Sequence, residues 1–293
     1  MDLTVVIPAF NEAESIGAVL ERLCERLQSV EQVRGSFEVL VIDDGSTDGT
    51  GEIARRASPL VCLVRHPYNL GNGAAVKTGI RNARGRVCVF MDADGQHDPE
   101  MIARIFRGCD EFDMVVGARD ASSQAGWHRH LANGLYNYLA SYVTGRRIDD
   151  LTSGFRAIRR DVARRFVALL PNGFSYPTTI TLCLMRAGFS VKYEPITVAK
   201  RTGKSKIRPF SDGTKFLLVI AKICMLFSPM KIFLPVSLYL FLMGLGYYLF
   251  TFLTEHRFTN MSMLLFTTSV IVFMMGLLAE QIAQMRFERT EDE

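Results

Sequence analysis

The sequence lacks any closely spaced pair of cysteines. Its six cysteines are spread along the chain, most of them within apolar runs, and none forms the C-x-x-C pattern of a zinc or thioredoxin-like site. This distribution is typical of buried, reduced thiols in the cytosol and argues against a disulfide framework. The first ten residues, MDLTVVIPAF, also lack a basic region ahead of an apolar core, so no secretory signal peptide is predicted.

The chain also lacks a strong excess of either charge. Its 34 lysines and arginines against 30 acidic residues give a net charge of +4, so bulk charge does not suggest a nucleic-acid partner. Internal repeats and low-complexity segments are missing as well. What the chain does contain is an abrupt change of composition. Residues 1–210 have mixed charge and frequent glycine, and the sequence becomes strongly apolar from Phe216 onward.

Two stretches near the C-terminus, 235–254 and 260–279, contain no charged residue. Each has about 20 residues, enough to cross a hydrocarbon core of about 30 Å. The short connector predicts a hairpin of two transmembrane helices. Basic residues precede the first span, and Arg286 and Arg289 follow the second, so the positive-inside rule places both ends in the cytoplasm. The competing interpretation is a helical hairpin buried in a soluble core.

Residues 211–234 form a different kind of segment. Lys215, Lys222 and Lys231 interrupt its apolar character, and Pro229 breaks it. This pattern favours an amphipathic helix in the membrane interface, with a third membrane segment as the alternative. The predicted organisation is a cytoplasmic globular domain (1–210), a juxtamembrane segment (211–234), two transmembrane helices (235–283) and a cytoplasmic tail (284–293).

Apolar, β-branched runs alternate with segments of helical period in the globular part. This alternation predicts an α/β fold, in which a parallel sheet is wrapped by helices. The predicted strands cover residues 3–10, 37–45, 61–67, 86–94 and 113–119. The predicted helices cover residues 11–28, 71–83 and 99–109, and a further helix begins near Ser46. Asn11 is expected to cap the first of these helices.

Polar side chains follow four of these strands. They include Glu12 after the first, Asp43 and Asp44 at the end of the second, Asp92 at the end of the fourth and Arg119 at the end of the fifth. Ligands of open α/β sheets bind at the carboxyl ends of the strands. We therefore expect these residues to converge on one site.

The segment VFMDADGQHDP carries the densest group of metal-binding side chains. Asp92 and Asp94 are two residues apart in a loop, so both carboxylates can turn toward one ion, with the carbonyl of Gln96 nearby. Hard oxygen ligands of this kind suit Mg²⁺ or Mn²⁺. An Asx-turn or a helix cap is the competing interpretation of the aspartate pair.

Asp43 and Asp44 end the neighbouring strand. One of the two carboxylates is expected to accept hydrogen bonds from a base or ribose, and the other to cap the helix near Ser46; alternatively both are capping residues. Phe10, after the first strand, either covers a nucleobase or packs in the core. In the segment DDLTSGFRAIRRDV, Ser153 and Arg156 fit an anion-binding turn, and a helix start with arginine on a solvated face is the alternative.

Six motifs in order resemble one known family. VVIPAFNE, VLVIDDGSTDGT, NLGNGAAVKTGI, FMDADGQHDP, VVGAR and LTSGFRAIRRDV are similar to the motifs of family 2 glycosyltransferases with the GT-A fold, especially the dolichol-phosphate mannose synthase group. The resemblance covers residues 3–210, and the hairpin is typical of bacterial members. It implies metal-dependent, inverting transfer of a hexosyl group from a UDP- or GDP-sugar to polyprenyl phosphate, for cell-envelope glycan or glycoprotein synthesis.

The resemblance also assigns roles to matching positions. Phe10 stands where a tyrosine is frequent, so a hydroxyl contact is lost there. The loop KRTGKSK (200–206) matches a basic loop that closes over the donor. The donor residues are Pro8, Ala9, Phe10, Glu12, Asp43, Asp44, Asp92, Ala93, Arg201 and Lys206. The metal ligands that it implies are Asp92, Asp94 and Gln96. The residues that it implies for binding the lipid phosphate are Arg119, Arg129 and Ser153. Asp94, Arg119 and Arg201 are the positions expected to carry catalysis.

A lipid phosphate acceptor changes the chemistry that is needed. Its second pKa is about 6, so it is largely dianionic at neutral pH and needs no general base. It needs cations that bring two anions together, which Arg119, Arg129, Arg201 and Lys206 supply. His97 is therefore interpreted as a supporting residue and not as a catalytic base.

Two other functions compete with this one. A processive polysaccharide synthase would usually carry a Q-x-x-R-W motif, which is absent, since the only tryptophan is Trp127 in AGWHRH. A non-catalytic, membrane-tethered nucleotide-binding protein would not need the aspartate pair. The sugar, the base and the lipid length stay open. Glu280 and Gln281, at the end of the second span, either mark the membrane interface or pair across a homo-oligomer.

Overall fold

The computed structural model describes residues 1–31, 33, 35–93, 100–119, 134, 137–142, 144–173, 175–196, 225 and 228–291. The chain divides into two compact units. The larger comprises Met1–Tyr142 with Arg146–Ile207, and the smaller comprises Val143–Gly145 with Arg208–Glu293.

The larger unit is built on one seven-stranded sheet. Its strands are β1 (Leu3–Ala9), β2 (Phe37–Asp43), β3 (Val61–Arg65), β4 (Val87–Phe90), β5 (Met114–Arg119), β6 (Arg156–Arg159) and β7 (Val191–Ile196). The order across the sheet is β3-β2-β1-β4-β6-β5-β7. All neighbouring strands are parallel except β6, which is antiparallel to both β4 and β5. The predicted mostly parallel sheet is therefore confirmed.

The helices that connect these strands include six whose bounds the structure defines. They are α1 (Ile16–Ser29), α2 (Thr50–Ala57), α3 (Asn72–Asn82), α4 (Glu100–Gly108), α5 (Arg160–Phe166) and α6 (Tyr176–Arg186). Helix α1 lays Ile16, Leu20, Leu23 and Leu27 into the core, as its period predicts. It begins five positions after Asn11, so the prediction that Asn11 caps this helix is wrong. Asn11 instead has a φ of 54° and lies in a turn ahead of the helix.

The central strands read as unbroken apolar runs because both faces of the sheet are covered. All seven residues of β2 are buried. Pro8 is tolerated within β1 because the last β1–β4 pair is Val6 with Phe90, so the missing N–H costs no hydrogen bond to β4. Cys24, Cys88, Cys109 and Cys183 are buried, Cys62 is exposed, and all five are free thiols. Burial raises the pKa of Cys88 to about 12, which makes it an inert core thiol.

Two elements were not expected from the sequence. Strand β6 begins at Arg156, in the segment for which the alternative was a helix start with arginine on a solvated face. For Arg156 that alternative is wrong, because Arg156 is fully buried within the sheet, but a helix does begin in the same segment at Arg160. Strand β7 forms one edge of the sheet and pairs only with β5 among the described strands. Both strands are short and carry charged residues, so neither shows the apolar run of the central strands.

The smaller unit contains two long apolar helices, α7 (Met230–Glu255) and α8 (Asn260–Glu291). A short connection joins them. Met230–Glu255 and Asn260–Met285 are each long and apolar enough to cross a membrane. Of the 18 most apolar consecutive residues in each helix, only 11% and 17% are buried inside the protein, which does not fit the core of a soluble protein. Both helices extend beyond the predicted spans. Residues 230–234, assigned to the juxtamembrane segment, belong to α7; most of that segment lies outside the described residues.

Small residues hold the two helices together. Ser237 and Ser269 each donate a hydroxyl hydrogen bond to the carbonyl of the other, at 3.0 and 2.9 Å. Glu280 accepts a hydrogen bond from the backbone N–H of Met230 at 3.3 Å, at the N-terminus of α7 where a carboxylate is favourable. A Cβ at Gly276 would lie 2.6 Å from the Cβ of Phe233. The glycine and the serines allow the close backbone approach that membrane helices use.

We expect Gly276→Leu to disrupt this hairpin. The larger side chain has no space against Phe233 and Met230, and overpacking of this kind costs about 1–3 kcal/mol. Gly246→Leu is the matched control, because nothing lies within 4 Å of its Cβ position. The measurement is the thermal unfolding of the full chain in detergent by circular dichroism. Equal melting temperatures for the two variants would contradict the packing described for α7 and α8.

Candidate active site

The carboxyl ends of β1, β2, β4 and β5 lie at one edge of the sheet. Strands β1, β2 and β4 are parallel neighbours, and β5 shares their direction because β4 and β5 are both antiparallel to β6. The same topology brings the turn before β6 to this edge. The predicted convergence of strand ends is therefore observed, and the turn containing residues 150–155 joins it.

The loops after β1 and β2 are tied to each other. The backbone N–H of Asn11 donates to Ser46 Oγ at 3.0 Å, and the N–H of Thr47 donates to Asn11 Oδ1 at 3.0 Å. The N–H of Glu12 donates to Thr50 Oγ1 at 2.9 Å. Phe10, the residue just before these contacts, keeps 40% of its surface exposed. It is therefore not a core residue, and its ring is an apolar surface on a fixed loop.

Asp43, the last residue of β2, forms a hydrogen bond within the turn that follows the strand. Its Oδ1 accepts the backbone N–H of Ser46 at 2.8 Å, so one half of the predicted capping role is present, although α2 begins only at Thr50. Its Oδ2 lies 3.2 Å from Arg65 Nε but makes no hydrogen bond among the described residues. A Cβ at Gly51 would fall 2.5 Å from this oxygen, so only glycine leaves room for it. Asp43 is completely buried.

Asp44 is held by a network that sequence reasoning did not find. Its Oδ1 accepts the N–H of Leu70 at 2.9 Å and lies 2.7 Å from His66 Nδ1, and its Oδ2 accepts the N–H of Gly71 at 2.8 Å. His66 Nε2 in turn lies 2.9 Å from Thr78 Oγ1 on α3. The carboxylate thus fixes the loop after β3 against the end of β2. Its contact with a nucleoside stays a prediction.

The fourth strand end carries the described part of the predicted metal site. Asp92 is partly exposed, and a Cβ at Gly154 would lie 3.1 Å from its Oδ2, so the carboxylate lies against the turn before β6. Ala93 is buried, and its carbonyl accepts a hydrogen bond from Ser15 Oγ at 3.0 Å. No group of three metal-binding side chains occurs within the described residues. Asp94, Gln96 and His97 lie outside them.

Arg119 ends β5 in a two-point ion pair with Asp150. Its Nε is 2.8 Å from Asp150 Oδ2, its Nη2 is 3.0 Å from Oδ1, and Nη2 also donates to Thr152 Oγ1 at 2.6 Å. Burial alone would lower the pKa of Arg119, but the hydrogen bonds and charge of Asp150 and the charge of Asp92 outweigh burial, so the pKa of Arg119 lies above its ordinary value. Burial alone would raise the pKa of Asp150, but the hydrogen bonds and charge of Arg119 outweigh burial, so the pKa of Asp150 lies below its ordinary value. Both groups are therefore charged at neutral pH.

Ser153 and Arg156 lie beneath this ion pair. The Ser153 side chain is buried, with its hydroxyl 3.5 Å from the carbonyl oxygen of Phe155. Arg156 donates through Nε and Nη2 to the carbonyl oxygen of Ser153, and through Nη1 to the Pro177 carbonyl at 2.8 Å. Arg156 therefore supports the turn from inside. The protein encloses Ser153, and the contact of this residue with a lipid phosphate stays a prediction.

The structure thus describes most of the predicted donor residues and one of the predicted acceptor arginines. Pro8, Ala9, Phe10, Glu12, Asp43, Asp44, Asp92 and Ala93 all lie at the same sheet edge as Arg119. Sequence reasoning missed Asp150 and His66, although Asp150 lies in a motif that it quoted. Arg129, Arg201 and Lys206 fall outside the described residues.

Two families match different parts of this chain. Residues 4–166 match glycosyl transferase family 2, and residues 228–285 match the GtrB C-terminal hairpin. A chain with this mostly parallel sheet and these strand-end carboxylates has the fold of a GT-A glycosyltransferase, as predicted. The protein belongs to glycosyl transferase family 2, which makes it a member of an enzyme family.

The chain is similar to several named members. It is 32% identical to the polyprenol monophosphomannose synthase of Mycolicibacterium smegmatis, covering 69% of this chain and 80% of that protein. It is 31% identical to the undecaprenyl-phosphate mannosyltransferase of Micrococcus luteus, covering 71% and 88%. The undecaprenyl-phosphate 4-deoxy-4-formamido-L-arabinose transferase of Proteus mirabilis is 31% identical, over 60% of this chain and only 57% of that relative.

A solved structure also shares the fold. Glucosyl-3-phosphoglycerate synthase from Mycobacterium tuberculosis, solved with Mn²⁺, UDP and glucosyl-3-phosphoglycerate, superposes with a TM-score of 0.59 at 20% identity. The match covers 76% of this chain and 78% of that one. At this identity the likeness supports the fold alone.

Proposed function

We propose that this protein is a membrane-bound, inverting glycosyltransferase. It moves a hexosyl group from a UDP- or GDP-sugar to a polyprenyl phosphate and forms a polyprenyl-phosphate monosaccharide for cell-envelope glycan or glycoprotein synthesis. The observation that carries this proposal is the combination of a family 2 domain with a GtrB-type apolar hairpin in one chain. The relatives named above act on polyprenyl phosphates, which supports the acceptor.

The hairpin gives the proposed acceptor a physical basis. A polyprenyl phosphate stays in the bilayer, so an enzyme that uses it has to be held at the level of the headgroups. Helices α7 and α8 are long enough to provide that anchor. We propose a multi-pass protein of the cell membrane with both termini in the cytoplasm, a globular domain that extends to residue 210, and a hairpin that begins with α7 at Met230.

A divalent ion fits the residues of the fourth strand end. Asp92 lies at the strand end with part of its surface exposed, and hard oxygen donors suit Mg²⁺ or Mn²⁺. Asp92, Asp94 and Gln96 are the residues that would hold it. When bound, such an ion would neutralise the charge that develops on the departing nucleoside diphosphate.

The protein's own residues then bind and orient the two substrates. Phe10 offers an apolar face for the base of the donor. Arg119, with Arg129, Arg201 and Lys206, balances the charge of the acceptor phosphate as it approaches the donor. The phosphate is already ionised, so no side chain has to remove a proton. Attack on the face opposite the leaving group inverts the anomeric centre.

The test is sugar transfer by the full chain in detergent. A panel of radiolabelled UDP- and GDP-sugars is offered with a short polyprenyl phosphate, in the presence of Mg²⁺, Mn²⁺ or EDTA. We expect one donor to label the lipid, no labelling of the unphosphorylated polyprenol, and loss of transfer in EDTA that either ion reverses.

Three results would count against this function. No transfer from any donor would leave a non-catalytic nucleotide-binding protein. Growth of a long sugar polymer on the acceptor would indicate a processive synthase. Full transfer in EDTA would remove the divalent ion from the proposal.

A further inference from the structure

Both carboxylate oxygens of Asp150 accept hydrogen bonds from the protein itself. Its Oδ2 accepts from the backbone N–H and Nε of Arg119, at 3.2 and 2.8 Å. Its Oδ1 accepts from Arg119 Nη2, from the N–H and hydroxyl of Thr152, and from the N–H of Ser153, at 3.0 to 3.2 Å. The side chain is only 4% exposed. Asp150 is therefore fully engaged within the protein.

These bonds use up one side of the Arg119 guanidinium. Nε and Nη2 face Asp150 and Thr152, and Nη1 contacts no acceptor among the residues that the structure describes. The side chain is 31% exposed at the carboxyl end of β5, with only β6 between that strand and β4, and the charge of Asp92 at the end of β4 acts on it. A planar guanidinium held at two points cannot rotate, so the direction of Nη1 is fixed.

We propose that Asp150 is a positioning residue that aims Arg119 Nη1 at the acceptor phosphate. This inference rests on the proposed function, because it assumes that Arg119 binds that phosphate. Arg119 then acts through one terminal nitrogen at a fixed angle, and not through its two-nitrogen fork, which Asp150 occupies. The turn beneath is braced in the same way, because Arg156 donates to the carbonyl oxygen of Ser153 from inside the sheet.

The alternative role for Asp150 is electrostatic. Its negative charge sits beside Arg119 and lowers the net attraction of the pair for a phosphate dianion. If charge alone mattered, removing the carboxylate would strengthen acceptor binding. If orientation matters, removing it would weaken acceptor binding, since an amide at position 150 would turn an N–H₂ group toward Nε or Nη2. The two roles thus predict opposite changes.

The first experiment measures steady-state transfer by Asp150→Asn in the full chain. We expect KM for the short polyprenyl phosphate to rise about tenfold, with KM for the nucleotide sugar unchanged within about twofold. Asp113→Asn is the matched control. Asp113 lies just before β5, pairs with Arg159 at 3.3 Å and accepts the N–H of Ser190 at 2.8 Å, so it resembles Asp150 at the opposite end of the same strand. It should leave both KM values unchanged.

The second experiment separates charge from orientation at Arg119 itself. Arg119→Lys keeps the charge but cannot bridge both oxygens of Asp150, so its acceptor KM should approach that of Arg119→Ala. Free guanidinium ion should partly restore transfer by Arg119→Ala. It should not restore the double variant Arg119→Ala/Asp150→Asn, which lacks the carboxylate that would hold the added ion.

The outcomes are distinguishable from failure of the proposed function. If the unmodified protein does not label polyprenyl phosphate from any donor, the function and this inference fall together. If it does, an unchanged or lowered acceptor KM in Asp150→Asn overturns the inference alone. So would equal guanidinium rescue in both backgrounds, or a fully active Arg119→Lys variant.

Discussion

Replacing Asp94 with asparagine is expected to abolish sugar transfer, with kcat falling by about a thousandfold or more. The substitution keeps the shape of the side chain and removes the charge that a divalent ion requires. A loss of this size corresponds to about 4 kcal/mol of transition-state stabilisation. The measurement is steady-state transfer of labelled sugar to polyprenyl phosphate at saturating substrates and saturating Mg²⁺ or Mn²⁺.

The matched control for this prediction is Asp98→Asn. Asp98 belongs to the same short segment of sequence but is expected only to start the helix that follows, so its amide variant should keep transfer within about threefold. Asp92→Asn should resemble Asp94→Asn, because both carboxylates are predicted ligands of one ion. Near-normal turnover by Asp94→Asn, in a variant that unfolds at the same temperature as the unmodified protein, would contradict the metal assignment.

The central sheet could be predicted because its strands are covered on both faces. Burial on both faces leaves an unbroken apolar run in the sequence, and the first polar residue after each run marks the carboxyl end of a strand. Asp43, Asp92 and Arg119 were found in this way. Parallel direction then places them at one edge without any knowledge of the strand order.

The remaining strands could not be predicted from the same signal. Strand β6 has four residues, two of which are arginines, and β7 is an edge strand that contains a proline. Neither is long enough or apolar enough to show a period. The antiparallel β6 nevertheless matters most for the site, because it places Asp150 against Arg119. The sequence motif was visible, but the partner of the aspartate was not.

The two aspartates at the end of β2 show a second limit. Asp43 and Asp44 are adjacent and chemically identical, so a pattern cannot say which one faces outward. In the structure Asp43 bonds back to its own turn, and Asp44 holds the loop after β3 through His66, Leu70 and Gly71. These partners are distant in sequence, and only the three-dimensional arrangement distinguishes the two roles.

Arg156→Met is expected to lower the free energy of unfolding of the larger unit by about 3 kcal/mol. Arg156 is fully buried, and it donates to Pro177 O and Thr181 Oγ1 at 2.8 and 2.9 Å as well as to Ser153 O. Methionine has a similar length but no donor, so it would remove every one of these bonds and leave buried oxygens without them. Arg164→Met is the control, because Arg164 is exposed and, among the described residues, donates only to Arg81 O, at 3.1 Å.

Two opposing terms decide the Arg156 result. Burial disfavours the charged guanidinium and lowers its pKa, which is a real cost of placing the group in the sheet. Apolar replacements of buried ionic groups are for this reason sometimes neutral or stabilising. Here the acceptors are backbone and hydroxyl oxygens that remain buried after the substitution, so we expect the lost bonds to outweigh the relieved burial. Chemical denaturation of the full chain in detergent measures the balance. A variant as stable as the unmodified protein would show that the cost of burying Arg156 equals the strength of its hydrogen bonds.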